Sequence, residues 1–109
     1  MKYVLFSVVI LAVIVSGCLT VSQLQGEIYE GTAAGYRGPI RVRVRMNGGS
    51  IMDIAVVDSS EDRFVGEAAM EELIDLVIEY NSTDVDVISG ATVTSKGFLE
   101  AVNNAIMGL

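Results

Sequence analysis

The run Ile40-Arg41-Val42-Arg43-Val44-Arg45-Met46, the turn Asn47-Gly48-Gly49-Ser50 and the run Ile51-Met52-Asp53-Ile54-Ala55-Val56-Val57 constrain the fold of this chain more than any other stretch. Apolar and basic side chains alternate along 40–46 with the period of a strand, so the apolar residues face one side of a sheet and the three arginines the other. An Asn-Gly turn between two such runs is the strongest local signal for a β-hairpin. Upstream, Glu27-Ile28-Tyr29-Glu30-Gly31-Thr32-Ala33-Ala34-Gly35-Tyr36 contains two glycines and reads as a weaker strand at a sheet edge. Arg37-Gly38-Pro39 is a turn that feeds it into the hairpin. The three segments predict an antiparallel meander.

Helical periodicity begins after the polar connection 58–66. Ala69, Leu73, Leu76, Val77 and Tyr80 recur at helical spacing and predict a helix over 66–80 with those residues on its buried face. Glu67, Glu71, Asp75 and Glu79 form a stripe at every fourth residue. Like charges at that spacing mildly oppose a helix, so the stripe belongs in water, where it could also dock a basic partner. Asn81-Ser82 ends this helix. Thr83-Asp84-Val85-Asp86-Val87-Ile88 alternates and predicts a further short strand. A last helix is predicted over 95–107, with Phe98, Leu99, Val102, Ala105 and Ile106 facing the sheet. A domain this small has a modest core. It needs both helices against one face of the sheet, which makes the fold class α+β.

Between the predicted strand and the last helix lies Ser89-Gly90-Ala91-Thr92-Val93-Thr94-Ser95. Gly90 permits a tight, open turn. Thr94 or Ser95 is expected to cap the helix, and the N–H groups of a helix N-terminus favour a phosphate. Composition alone favours a capped turn with solvated hydroxyls, since Ser, Thr and Gly dominate turns in any case. Threonine is a weak nucleophile at neutral pH, and the chain has no histidine to act as its base. Asp86 could assist, or be a structural carboxylate on the strand. Lys96 could screen a phosphate, or simply be an exposed lysine at the helix start.

Asp86-Val87-Ile88-Ser89-Gly90-Ala91-Thr92 with Val93-Thr94-Ser95 closely resembles the attachment motif of the FMN-binding domain family. That family includes subunits of sodium-pumping quinone reductases and of ferredoxin-linked redox complexes. The resemblance runs from Glu27 to Ala105. Gly35-Tyr36-Arg37-Gly38-Pro39 is similar to the family's Gly-Tyr-x-Gly-Pro element, and the Asn-Gly hairpin and acidic helix follow in matching order. It implies that Thr92 carries FMN through a phosphoester. Ser89, Gly90, Ala91, Thr94 and Ser95 would surround the attachment, with Asp86, Tyr36, Glu61 and Gly66 further out. It also implies a partner, a metal-dependent flavin transferase that moves FMN from FAD onto the threonine. The domain would then be an electron carrier between redox partners rather than a stand-alone enzyme. One loop departs from the family pattern Glu-Thr-Pro-Gly-x-Gly: Glu61 and Gly66 match, while Asp62, Arg63 and Phe64 replace the middle. Tyr36, Phe64 and Met52 are candidate shelves for the flavin ring, although ordinary core or surface is the favoured account of each. Arg41, Arg43 and Arg45 read as a solvated sheet face, with a flavin-facing or docking role for Arg41 as the minority view. Two rival functions remain at this level: an FMN domain that binds its cofactor non-covalently, and a lipoprotein binding module with no redox role.

The first residues form a separate unit. Met1-Lys2 precedes an apolar run from Tyr3 to Val15 and then Ser16-Gly17-Cys18. A positive start, an apolar stretch and small residues make a secretory signal. Val15-Ser16-Gly17-Cys18 resembles the lipobox of prokaryotic lipoproteins, which implies lipidation of Cys18. The alternatives are an uncleaved membrane anchor or a simple cleaved signal that leaves Cys18 as a free thiol. All three place the domain outside the cytoplasm, with the first two holding it at the extracytoplasmic face of the membrane. The expected organisation is a lipoprotein signal peptide at 1–18, a tether at 19–26 and the FMN-binding domain at 27–109. Cys18 is the only cysteine, so no intrachain disulfide forms. Removing Lys2 with the signal leaves six basic against fourteen acidic residues, a net charge of −8. That balance excludes a nucleic-acid partner. The expected partners are therefore the transferase, the membrane and a membrane redox complex or extracytoplasmic electron carriers.

Overall fold

The computed structural model describes residues 26–108. The signal with Cys18, and the tether up to residue 25, lie outside the described residues. Strands β1 (Glu27–Ala34), β2 (Pro39–Asn47) and β3 (Ser50–Asp58) form a sheet in the order β1-β2-β3 with both pairings antiparallel. The meander is as the alternation predicts, and β1 takes the edge position expected from its two glycines. The β2–β3 turn is centred on Gly48 and Gly49, whose φ angles of +59° and +85° are those a two-residue hairpin turn requires. Ile40, Val42 and Val44 of β2 are fully buried. Arg41 and Arg43 point to the solvated face, where Arg43 pairs with Glu30 at 2.9 Å and Arg45 lies 3.8 Å from Asp53.

Both helices cover the other face. A single π turn, Arg63–Glu67, leads into helix α1 (Ala68–Tyr80), so the regular helix starts two residues later than predicted. Helix α2 runs Thr92–Met107, starting three residues earlier than predicted. The core joins Ile40, Val42, Val44, Ile51 and Ile54 of the sheet to Met70, Leu73 and Val77 of α1 and Phe98, Ala101, Val102 and Ala105 of α2. Burying Phe98 completely contributes about 1.5–3 kcal/mol. The acidic stripe Glu67, Glu71, Asp75 and Glu79 is exposed, as its charge requires.

Two expectations are corrected. Tyr80 is 64 % exposed, while Met70, not among the residues expected on the buried face, is buried. Tyr80 is the last residue of α1, and the left-handed Asn81 (φ +51°) stops the helix there. The Asn81 side chain accepts from the Ile51 N–H at 2.8 Å, which pins the end of α1 to the start of β3. Segment 83–88 is not a strand. Its apolar side chains Val85 and Ile88 do pack against the core. Side chains, however, meet its backbone donors: Ser82 Oγ accepts from Asp84 N–H at 2.9 Å, and Ser95 Oγ accepts from Ile88 N–H at 3.1 Å. Val85 and Ile88 would lie on opposite faces of an extended strand, and Val87, in phase with Val85, is exposed, so the segment turns as it crosses the core instead of running as a strand.

Helix α2 approaches β1 closely because two glycines face one another's elements. A Cβ on Gly31 would overlap the Ala101 carbonyl oxygen, and a Cβ on Gly97 would overlap the Ala34 carbonyl oxygen. Gly31→Ala and Gly97→Ala are each expected to destabilise the fold by about 1–3 kcal/mol, whereas Tyr80→Ala should stay within about 0.5 kcal/mol. Equilibrium chemical denaturation measures both.

Candidate functional site

The Ser-Gly-Ala-Thr run forms a tight turn that opens directly into α2. Ala91 N–H donates to the Ile88 carbonyl at 3.0 Å, and Gly90 between them has φ +86°. A Cβ at Gly90 would meet nothing within 4 Å, so the turn requires glycine for its backbone angle and not for space. The N-cap is Ala91, with no side-chain hydrogen bond, and Thr92 is the first helical residue. This corrects the expectation that Thr94 or Ser95 caps the helix. The first backbone bond of α2 runs from Ser95 N–H to the Ala91 carbonyl at 2.9 Å. Ser95 Oγ–H donates to the same carbonyl at 2.6 Å while its oxygen accepts from Ile88 N–H, so this fully buried hydroxyl closes the loop from inside. The N–H groups of Thr92, Val93 and Thr94 precede that first bond and carry the positive end of the helix dipole.

Thr92 is exposed and lines a groove of about 520 Å³. That volume lies within the usual range of roughly 300–1,000 Å³ for small-molecule sites. Tyr36 and Arg37 of the β1–β2 turn form one wall. Asp62, Val65 and Gly66 of the π turn form another, and 90–94 complete it. A different groove of about 420 Å³, between the end of β3 and α1, is lined by Asp58, Glu67 and Glu71. That acidic lining opposes an anion.

Beneath the Thr92 groove lies Glu61, only 7 % exposed. Its Oε1 accepts from Tyr36 N–H at 2.6 Å and from Thr94 Oγ–H at 2.8 Å, and its Oε2 accepts from Arg37 N–H at 2.7 Å. Three donors offset the cost of burying a carboxylate, each such bond being worth about 1.5–3 kcal/mol. Gly35 and Gly66 make room for it: a Cβ on Gly35 would sit 2.5 Å from Glu61 Oε1, and one on Gly66 2.7 Å from Glu61 Cβ. Beside it, Asp62 Oδ1 caps the π turn, accepting from Phe64 N–H at 2.7 Å and Val65 N–H at 3.0 Å. The bonds from Val65 and Phe64, with a smaller contribution from the Arg37 guanidinium 3.8 Å away, hold the Asp62 carboxyl below its ordinary value.

The structure thus brings together Tyr36, Gly66, Gly90, Ala91, Thr92 and Thr94 of the residues singled out from sequence. Glu61 and Ser95 support the groove from below without lining it. Ser89 and Asp86 are exposed and do not line it either. Of the candidate shelves only Tyr36 is in place, since Phe64, 86 % exposed, does not line the groove and Met52 lies on β3. Arg37, Asp62, Val65 and Val93 were not anticipated. An aspartate two residues before the Phe64 N–H is a capping signal that could have indicated Asp62; the other three carry no local signal.

Residues 35–107 match the FMN-binding domain family. The chain belongs to that family. It is 39 % identical over 90 residues to a urocanate reductase of Eggerthella lenta, covering 80 % of this chain and 15 % of that protein. It is 33 % identical over 85 residues to an uncharacterized protein of Treponema pallidum, covering 78 % of this chain and 24 % of the relative. It is 33 % identical over 78 residues to an NADH:acrylate oxidoreductase of Vibrio harveyi, covering 72 % and 8 %. The chain therefore spans less than a quarter of the length of these relatives. FMN is its cofactor, and the domain is a flavoprotein related to redox enzymes. The groove fits that cofactor: an uncapped helix N-terminus suits the phosphate, and Tyr36, Val65, Ala91 and Val93 give the ring an apolar border.

Asp62 supplies a pH-dependent test of the groove wall. Its folded pKa lies below the ordinary value of 3.8, so its stabilisation is present above that value and is lost as pH falls through the folded value. Asp62→Asn is expected to be less stable than wild type at neutral pH. The difference should close on acidification below the ordinary aspartate range, as thermal melts across pH would show.

Proposed function

We propose that the domain carries FMN covalently on Thr92 and passes electrons between redox partners. The observation that carries this reading is the placement of Thr92: an exposed hydroxyl at the first residue of an uncapped helix, inside the groove. Attachment transfers the FMN phosphoryl group of FAD to Thr92 Oγ. The pyrophosphate bond breaks, the new P–O bond forms, AMP leaves and the hydroxyl proton is released. Among the described residues no imidazole stands beside Thr92, and its neighbours Thr94 and Ser95 are already engaged in the fold. The base and metal for the transfer then belong to a separate flavin transferase, for which Thr92 is the acceptor.

Once the phosphodiester is in place, the N–H groups of Thr92, Val93 and Thr94 would hold it, as helix N-termini hold anions. Tyr36, Val65 and Val93 would border the ring and exclude water from it. Bound FMN supplies redox chemistry that no side chain of this domain provides. Substrate chemistry of the kind named for the longer relatives would reside in partner domains or proteins, with this domain relaying electrons. Lipidation of Cys18 would hold it at the extracytoplasmic face of the membrane, the tether lifting the groove off the bilayer. The net charge of −8 in the mature chain suits a domain that stays solvated beside that surface.

Intact mass and peptide fragmentation of protein made beside a flavin transferase should show FMN less water on the peptide containing Thr92. Thr92→Ala should abolish the adduct while leaving the fold intact; flavin retained by that variant through denaturation and washing would exclude the threonine linkage. Cys18→Ser should move the protein out of the membrane fraction, as fractionation and immunoblotting would record.

A further inference from the structure

We infer that Glu61 is a positioning residue for flavin attachment, acting on Thr92 through Thr94; this rests on the reading that Thr92 is the acceptor. Glu61 is nearly buried and is not among the residues that line the groove. Its carboxylate is instead the junction of the groove's walls. Oε1 takes the hydroxyl proton donor of Thr94, two residues past Thr92 in the same helical turn, at 2.8 Å. The same oxygen takes Tyr36 N–H at 2.6 Å, and Oε2 takes Arg37 N–H at 2.7 Å, from the opposite wall. Among the described residues no cation pairs with this buried carboxylate, so these donors and its place beside Gly35 and Gly66 define its position.

The first turn of α2 needs such an anchor. It has no side-chain cap, and Thr92 and Val93 project into water. Two hydroxyls hold the turn down, Ser95 to its own loop and Thr94 to Glu61. Only the second fixes the turn relative to Tyr36 and Arg37. Without it, the helix start would sample frayed or rotated arrangements in which Thr92 Oγ is displaced from the groove. An acceptor that is competent for only a fraction of the time shows an apparent affinity reduced by that fraction, while the chemical step in the competent state is unchanged. The signature of a lost anchor is therefore a raised KM for the protein acceptor at nearly constant kcat.

The experiment uses the full chain, FAD, a divalent metal and a purified flavin transferase, with adduct formation followed by mass and by flavin absorbance. Thr94→Val is nearly isosteric and removes the donor; it should raise KM by about tenfold or more with kcat within about twofold. Thr94→Ser restores the hydroxyl and should return KM toward wild type. The visible circular dichroism of attached flavin, which reports the ring's asymmetric surroundings, should change in Thr94→Val and recover in Thr94→Ser. Should Thr94→Val fail to fold by far-ultraviolet circular dichroism, Glu61→Gln loosens the same junction from the other side, because its amide N–H₂ faces either Arg37 N–H or, turned over, Tyr36 N–H and Thr94 Oγ–H, and KM should rise likewise. Unchanged KM in the folded donor-free variant, or a loss that the serine does not rescue, overturns the role of Glu61. Wild-type protein that takes no flavin at Thr92, with the transferase active on a control acceptor, overturns the attachment reading instead.

Discussion

A carboxylate is buried in this domain only where donors converge on it, and for Glu61 those donors come from two distant parts of the chain. The turn at Tyr36 and Arg37, the loop at Glu61 itself and the first turn of α2 at Thr94 must all be in place before the group is satisfied. Leaving any of them out would strand a polar group at a cost of about 1–3 kcal/mol. The same three segments are the walls of the groove beside Thr92. One electrostatic requirement thus couples the closure of the fold to the shape of the site.

Packing does the rest of the placement. Gly31 and Gly97 remove the side chains that would hold α2 away from β1, and Phe98, Ala101, Val102 and Ala105 then fill the space over the sheet. This close crossing brings the start of α2 to the β1–β2 turn. Exposed at that end are the groups a phosphate needs, the free N–H groups of an uncapped helix. Apolar contact sets where the helix lies, and the polar junction below the groove sets how its first turn is aimed.

The division of labour follows from what the domain contains. It offers a presented hydroxyl, an anion-binding helix start and an apolar border, which together suit holding a flavin. It offers little to activate the hydroxyl, so the proposed covalent attachment would need its activating groups from another protein. A holder of this kind can be attached to larger redox machinery without change, which accords with its covering only a small part of each relative's length.

Much of this was legible in the residues. Alternation along 40–46, the glycine turn after it and the spacing of Leu73 and Val77 are local regularities, and local backbone preference and one-sided burial fix what they become. The Ser-Gly-Ala-Thr run and the family pattern around Tyr36 and Gly66 likewise marked most of the groove. The tertiary structure alone decided the rest. It left 83–88 without a partner strand, put Met70 inside and Tyr80 outside, and turned Thr94 and Ser95 from expected caps into buried anchors. It also added Arg37, Asp62, Val65 and Val93 to the site. The physical reason is separation along the chain: the Glu61–Thr94 bond spans 33 residues. Periodicity shows which side of a segment is buried, but a long-range hydrogen bond exists only once packing has brought its two ends together.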